Sequence, residues 1–431
     1  MRLFKHLAGL FALLGLAGSV SAASALPDTV FVRVGHLFEP TTGVVSDDQL
    51  VRIENGRVSA IELWHESPPG VRVIDWSAKW VLPGLIDAHV HLADYLQTND
   101  PAEPLKHSAE DTAYLGARNA RSTLEAGFTT VHDVGSYRAS GNIELRNAIN
   151  RGDVPGPRIN AVGGYITVPG GGGEVSGLPK GMAVPPEMRA GVARTPAEVT
   201  RKVNAMFALG ADSIKLIATG AVLTEGTEPG QIELSGPMIA AAVKAAKAHG
   251  SWVTSHAHGA AGIRLAIANG SRGIEHASLI DDAGIVMAKA QGTYLVMDVY
   301  NGDYISEVGH RDGWSASVLR KNDETTEAQR QGFTKAVRAG VNVVFGTDAG
   351  VFPHGTNALQ FRYMVRYGMT PLQAIQAATN VAAEFLGWGK EVGSLTLGHY
   401  GDMIALDTNP LADVTALERV SHVMKGGVLV R

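Results

Sequence analysis

The chain has 431 residues, 45% of them hydrophobic and 18% charged, with a formal net charge of −5. That length supports one large domain with a smaller companion, and the composition excludes a disordered chain, a collagen-like repeat or a multi-span membrane protein. No basic stripe or arginine-rich tail is present, so nucleic acid is not an expected partner. With no cysteine, disulfides, thiolate metal sites and cysteine nucleophiles drop out, leaving histidine and carboxylates as the ordinary metal ligands.

Residues 1–25 read as a removable export signal. Arg2 and Lys5 give a positive start, and residues 7–18 form an apolar run too short to span a bilayer. Small residues follow, and Val20-Ser21-Ala22 and Ala23-Ser24-Ala25 both suit cleavage. The expectation is a periplasmic or secreted chain with no membrane attachment once the signal is gone. Beyond it, short β-like runs at 30–34, 49–53, 57–61 and 71–74 are punctuated by Asn55-Gly56 and Pro68-Pro69-Gly70. The far end repeats the pattern at 403–406, 420–425 and 428–431. Residues 26–80 and 390–431 are therefore expected to build one small β-sandwich domain.

Residues 81–389 follow a different rhythm, short apolar runs alternating with helical periodicity, the pattern of βα units and a parallel sheet. Strands are predicted near 81–89, 129–134, 158–163, 213–218, 252–256, 273–276, 293–299 and 341–346. Helices are predicted at 112–126, 196–209, 237–249, 260–268, 325–339 and 371–386, several ending in a glycine such as Gly127, Gly210 or Gly340. Eight units in this span fit an α/β fold of the (β/α)8 TIM-barrel type, which takes about 250 residues. Two connections, 168–194 and 300–323, are too long for plain loops. Both follow predicted strands and so belong at the carboxyl-terminal face, where barrel enzymes hold their sites.

Ligand-type residues stand at the ends of the predicted strands. His89-Val90-His91 puts two imidazoles on one side of the first strand by alternation. Lys215 lies between Ile214 and Leu216 in the fourth, where burial would push its pKa toward the neutral amine. The fifth ends at His256, with His258 close behind, the sixth at His276, and the eighth runs into Gly346-Thr347-Asp348. Histidines, a lysine and an aspartate at one face of one barrel form a convergent metal-ligand set.

The run from Val81 to His91, with Ile214-Lys215, Ser255-His256-Ala257-His258-Gly259, Gly273-Ile274-Glu275-His276 and Gly346-Thr347-Asp348-Ala349-Gly350, resembles the metal-dependent amidohydrolase superfamily. The likeness is to the branch of Xaa-Pro dipeptidases, imidazolonepropionase-like proteins and ochratoxin A-hydrolysing amidohydrolases. This resemblance implies two divalent ions, zinc by expectation. His89, His91 and Asp348 would hold the first, His256 and His276 the second, and a carbamylated Lys215 would bridge them. It further implies Asp348 as the proton carrier and His258 as a transition-state or substrate contact. The implied reaction is hydrolysis of a small-molecule amide or dipeptide that releases a C-terminal amino acid, from N-acyl- or N-aroyl-Phe compounds (ochratoxin A among them) or Xaa-Pro dipeptides, by a homo-oligomer. Tyr165, Tyr300, Tyr304 and His354 are the candidate substrate contacts. A cyclic-amide hydrolase and a non-catalytic metal-dependent binding protein are the alternatives. The chain departs from the branch in lacking a histidine in Tyr165–Gly173 and in carrying His132 in strand two, where an arginine is frequent.

Overall fold

The computed structural model describes residues 29–66, 71–98 and 100–431; the expected export signal and the Pro68-Pro69-Gly70 turn lie outside them. The first four strands, β1 (Thr29–Glu39), β2 (Val44–Glu54), β3 (Arg57–Leu63) and β4 (Val73–Pro83), pair with the last three, β13 (Met403–Leu406), β14 (His422–Lys425) and β15 (Val428–Leu429). Together they form one seven-stranded sheet in the order β15-β14-β13-β4-β1-β2-β3. The seam between the two chain ends is antiparallel, with Pro83 opposite Met403 and Trp80 opposite Leu406. Val32, Val34, Val51, Ile53, Trp76, Met403 and Met424 form its own apolar core, at roughly 1.5–3 kcal/mol for each large aliphatic side chain fully buried.

The middle of the chain is α/β with parallel strands throughout. β5 (Leu85–Val90), β6 (Phe128–Asp133) and β7 (Arg158–Ala161) form one sheet. The strands β8 (Ile214–Ile217), β9 (Val253–Ala257), β10 (Gly273–His276), β11 (Tyr294–Val296) and β12 (Val343–Val344) form a second, in chain order. Single parallel bridges join the sheets, Ile166 to Leu216 and Val90 to Ala349. The amide of Asp348 donates to the carbonyl of His89 at 2.8 Å.

Local structure departs from the sequence expectation in three places. The strand expected over 81–89 is divided: Val81–Pro83 belong to the seven-stranded sheet and β5 begins only after Gly84. A Cβ at Gly84 would lie 2.0 Å from Thr129 Oγ1, so only glycine lets the crossing chain pass this close to β6. Residues 300–323 are helical, in Asn301–Asp312 and Ala316–Ala339. The two helices are separated by Gly313 at φ +70°, and the second is capped by the Ser315 hydroxyl, which accepts from Val318 N. The helix expected over 371–386 breaks into Pro371–Ala377 and Asn380–Leu386 at Thr379, whose hydroxyl turns back to the Ile375 carbonyl. Where caps and periodicity agree, the fit is close. Thr195 and Gly210 bound Pro196–Leu209, and Ala260–Ala268 stands as expected.

Candidate metal centre

The side chains expected as ligands meet at the carboxyl ends of the parallel strands. His89 lies in β5 with His91 just beyond it, Lys215 in β8, His256 in β9, and His276 ends β10; Asp348 follows β12. Imidazole centroids are 4.8 Å apart for His89 and His276 and 4.5 Å for His256 and His276. Asp348 Oδ1 is 3.3 Å from both His89 Nε2 and His91 Nε2. Donor atoms lie within 4.8 Å of one another in two groups, His89, His276 and Asp348, and His256, His258 and His276. The second group brings His258 into contact with the expected ligands. His258 Nδ1 is fixed to Ser278 Oγ at 2.8 Å, and its ring stacks on His276 with centroids 4.7 Å apart.

The backbone bends sharply where the ligands sit. His276 and Ala277 have φ of +67° and +49°, and Asp348 has +61°. Such left-handed non-glycine residues cost about 1–3 kcal/mol each and cluster at functional sites. The bend at His276 also ends strand alternation, so Glu275 and His276 both serve the site. Glu275 Oε2 holds His89 Nδ1 at 2.8 Å, and Oε1 accepts from Thr254 Oγ1 at 2.5 Å. Asp87 binds the turn that carries Asp348, accepting from Thr347 Oγ1 at 2.6 Å and Asn357 Nδ2 at 2.7 Å.

A second layer orients the remaining groups. His91 Nδ1 faces the Gly135 carbonyl at 2.9 Å, which leaves Nε2 toward Asp348. Asp298 holds His276 Nδ1 at 3.0 Å, and Gln329 steadies Asp298 at 2.8 Å. Asn301 Nδ2 donates to Asp348 Oδ2 at 3.0 Å and to Asp298 Oδ2 at 3.3 Å. Partners that fix the other ring nitrogen of an imidazole are what metal sites use to set tautomer and direction.

Burial and charge pull on these groups in opposite directions. Burial pushes Lys215 down toward the neutral amine against the pull of Glu275, Asp348 and Asp298. Desolvation, with the neighbouring imidazoles, holds His256 and His258 well below the usual histidine range. Glu275 is disfavoured as an anion by burial, yet Lys215 and His89 bring it down to about 2. Burial also opposes the Asp348 carboxylate, but His89 and His91 keep it well below the ordinary value. His256 Nε2 is buried with no hydrogen-bond partner among the described residues. An orphaned buried imidazole nitrogen beside two others and a carboxylate is a donor set that divalent cations fit.

Four expected substrate contacts divide. Tyr165 lines the cavity over the cluster, with its hydroxyl 2.9 Å from Asp94 Oδ2 and 3.1 Å from His91 Nδ1. Tyr300, Tyr304 and His354 stand outside that lining. The two tyrosines sit at the start of helix Asn301–Asp312, where their rings pack on Phe352 at 5.0 and 6.0 Å. His354 is pinned between Thr123 Oγ1 and the His91 carbonyl, each at 3.1 Å. His132 is wholly buried between Ala88 O and Ser213 Oγ, and burial brings it down to about 3. Sequence reasoning missed Glu275, Asp298, Asn301 and Gln329. Only Glu275, inside a quoted motif, carried a signal in the linear pattern.

The profile of the Amidohydrolase family matches residues 80–430. An ochratoxinase of Aspergillus niger is 32% identical over 382 residues, covering 81% of this chain and 75% of that protein. Among solved structures, a Xaa-Pro dipeptidase with methionine bound in its active site superposes with a TM-score of 0.87 at 35% identity, covering 93% of this chain and 99% of that one. The A. niger ochratoxinase structure superposes with a TM-score of 0.82 at 26% identity, covering 94% and 96%. The convergent histidines and aspartate, the parallel α/β frame and these likenesses agree: the chain belongs to the amidohydrolase family and is a hydrolase acting on amide bonds.

Proposed function

We propose that the chain uses two divalent metal ions, zinc by preference, to cleave an amide and release a C-terminal amino acid. N-acyl- and N-aroyl-phenylalanine compounds, of which ochratoxin A is one, stand first as substrates, and Xaa-Pro dipeptides second. The convergence of His89, His91, His256, His276 and Asp348 around buried Lys215, with the orphaned His256 Nε2, carries this reading. The kinship with an ochratoxinase and a Xaa-Pro dipeptidase supports the substrate class. In the same reading the two parallel sheets close into a (β/α)8 barrel through their edge bridges, and the seven-stranded sheet curls over its own core as the sandwich. The mature chain is exported and assembles as a homo-oligomer acting on small molecules.

His89, His91 and Asp348 would hold one ion, and His256 and His276 the other. Lys215 would bridge them after its neutral amine adds carbon dioxide, forming an N–C bond and releasing one proton. When bound, such a pair of ions would polarise a carbonyl and lower the pKa of water toward about 7. Asp348, kept as the carboxylate and anchored by Asn301, accepts a proton from the attacking water and delivers it to the leaving nitrogen. His258, held at Nδ1 by Ser278, presents its other edge toward the developing oxyanion.

Zinc-loaded protein tested on N-acyl-Phe compounds, ochratoxin A and Xaa-Pro dipeptides checks the reading. Hydrolysis of at least one class with release of the free amino acid is expected. A metal-replete protein that cleaves none of them overturns it.

A further inference from the structure

We propose that a chamber outboard of the metal centre is the subsite for the acyl half of the substrate and selects neutral aromatic acyl groups. The inference rests on the reading that the chain hydrolyses N-acyl amino acids. The chamber, about 570 Å³ counted with its opening to solvent, is lined by Tyr95, Tyr137, Leu223, Glu225, Trp314 and Val318. It adjoins the cavity over the histidines, since Leu96, Tyr137 and Leu223 line both.

Its rings are held in place. Tyr95 stacks on His107 with centroids 3.7 Å apart, and Tyr137 meets Tyr165 edge to face at 5.6 Å. Trp314 is buried among Ile305, Val318 and Val351. Fixed aromatic walls favour a planar guest, since offset and edge-on ring pairs are worth about 0.5–1.5 kcal/mol beyond the area they bury.

The wall shared by the two chambers is tethered as well. Lys321, fully buried, donates from Nζ to the carbonyls of Ala221, Thr224 and Thr227 at 3.1, 2.7 and 3.2 Å. All three ammonium donors are thereby used, which is the condition for burying such a group. The Thr224 hydroxyl ties the same segment to the Gly172 carbonyl at 2.8 Å. Segment 221–228 thus presents Leu223 to both chambers from a fixed backbone.

Charge decides which half of the substrate goes where. No Lys, Arg or His is among the described residues lining the outer chamber, whereas Glu225 and Asp100 are. Asp100 is already paired with Lys106, and Glu225 takes the Ser315 hydroxyl. A free carboxylate on the leaving amino acid finds no cationic side chain in this chamber and meets Glu225 there, so it stays on the side of the metal centre. The acyl group, neutral, takes the aromatic side.

The test measures kcat/KM of the zinc enzyme on N-acetyl-Phe, N-(2-naphthoyl)-Phe and N-succinyl-Phe. Naphthoyl is expected to exceed acetyl by at least about tenfold, chiefly through KM, with succinyl the poorest. Trp314→Ala, Val318→Trp and Lys321→Met should each cut the naphthoyl-to-acetyl ratio at least about fivefold. Calorimetric binding of N-(2-naphthoyl)-Phe to zinc-loaded Asp348→Asn should weaken when Trp314→Ala is added. Thermal melts establish that each variant is folded, and Trp314→Ala and Val318→Trp carry the test should Lys321→Met fail to fold. Hydrolysis of N-acetyl-Phe with a ratio near one, or a ratio unmoved in folded Trp314→Ala and Val318→Trp, overturns the chamber alone. Failure to cleave any of the three compounds overturns the N-acyl amino acid reading on which the chamber rests, and the chamber with it.

Discussion

At Asp348 three influences meet on one carboxylate: burial that opposes its charge, two imidazoles that favour it, and an asparagine that anchors its second oxygen. Asp348→Asn keeps the shape and loses the proton carrier. Turnover should fall about 10²–10⁴-fold, the usual worth of general acid–base help, with metal content retained by elemental analysis. Wild-type rates would remove Asp348 from the role. Lys215→Ala should lose one metal equivalent and most activity, partly recovered with short carboxylic acids that stand in for a carbamate. Full occupancy without that recovery would argue for an unmodified lysine. Asn301→Ala frees Asp348 Oδ2, and kcat should drop about tenfold or more, matching a lost hydrogen bond to a charged group, at near-normal metal content. The convergence of His89, His91, Lys215, His256, His276 and Asp348 was readable because each sits at a strand end in a short motif. Asn301, Asp298 and Gln329 were not, since their roles come from helices Asn301–Asp312 and Ala316–Ala339 or from the chain past β11 crossing the strand ends.

At the scale of elements, helices bounded by a cap and a glycine were legible, and the exceptions have physical causes. Segment 300–323 carries tyrosine, tryptophan and charge and reads as a long connection at the carboxyl-terminal face. Its apolar residues Ile305, Val308 and Val318 nonetheless share one buried cluster with Trp314 and Val351, and tertiary burial decides for helix over weak local propensity. The strand break at Gly84 follows from a neighbour, Thr129, that is distant in sequence. Gly84→Ala should therefore destabilise the fold by about 1–3 kcal/mol in urea denaturation, the usual cost of overpacking. A second substitution, Thr129→Ala, should recover part of the loss. Unchanged stability in the single variant would mean that β5 and β6 shift apart freely.

For the whole molecule, a bound metal would be coupled to the fold. A chain with no disulfide and a cluster of buried donors should lose thermal stability when chelated and regain it with zinc, because a ligand bound only by the folded state stabilises it by mass action. An unchanged melting midpoint on chelation would separate the cluster from stability. Among the described residues no helix is long and apolar enough to cross a membrane. A chain begun after Ala25 should be a soluble, active enzyme, and a membrane-bound product would overturn the export proposal.

By itself, the sequence determined the parallel α/β character, the β-rich chain ends and the strand-end histidines that converge with Lys215 and Asp348, because strand-end histidines and short glycine-bounded helices are local signals. Only the tertiary structure decided that Tyr300, Tyr304 and His354 stand apart from the cavity, and that Lys321 clamps its wall. Those outcomes depend on which distant segments pack together, and linear spacing carries no record of that.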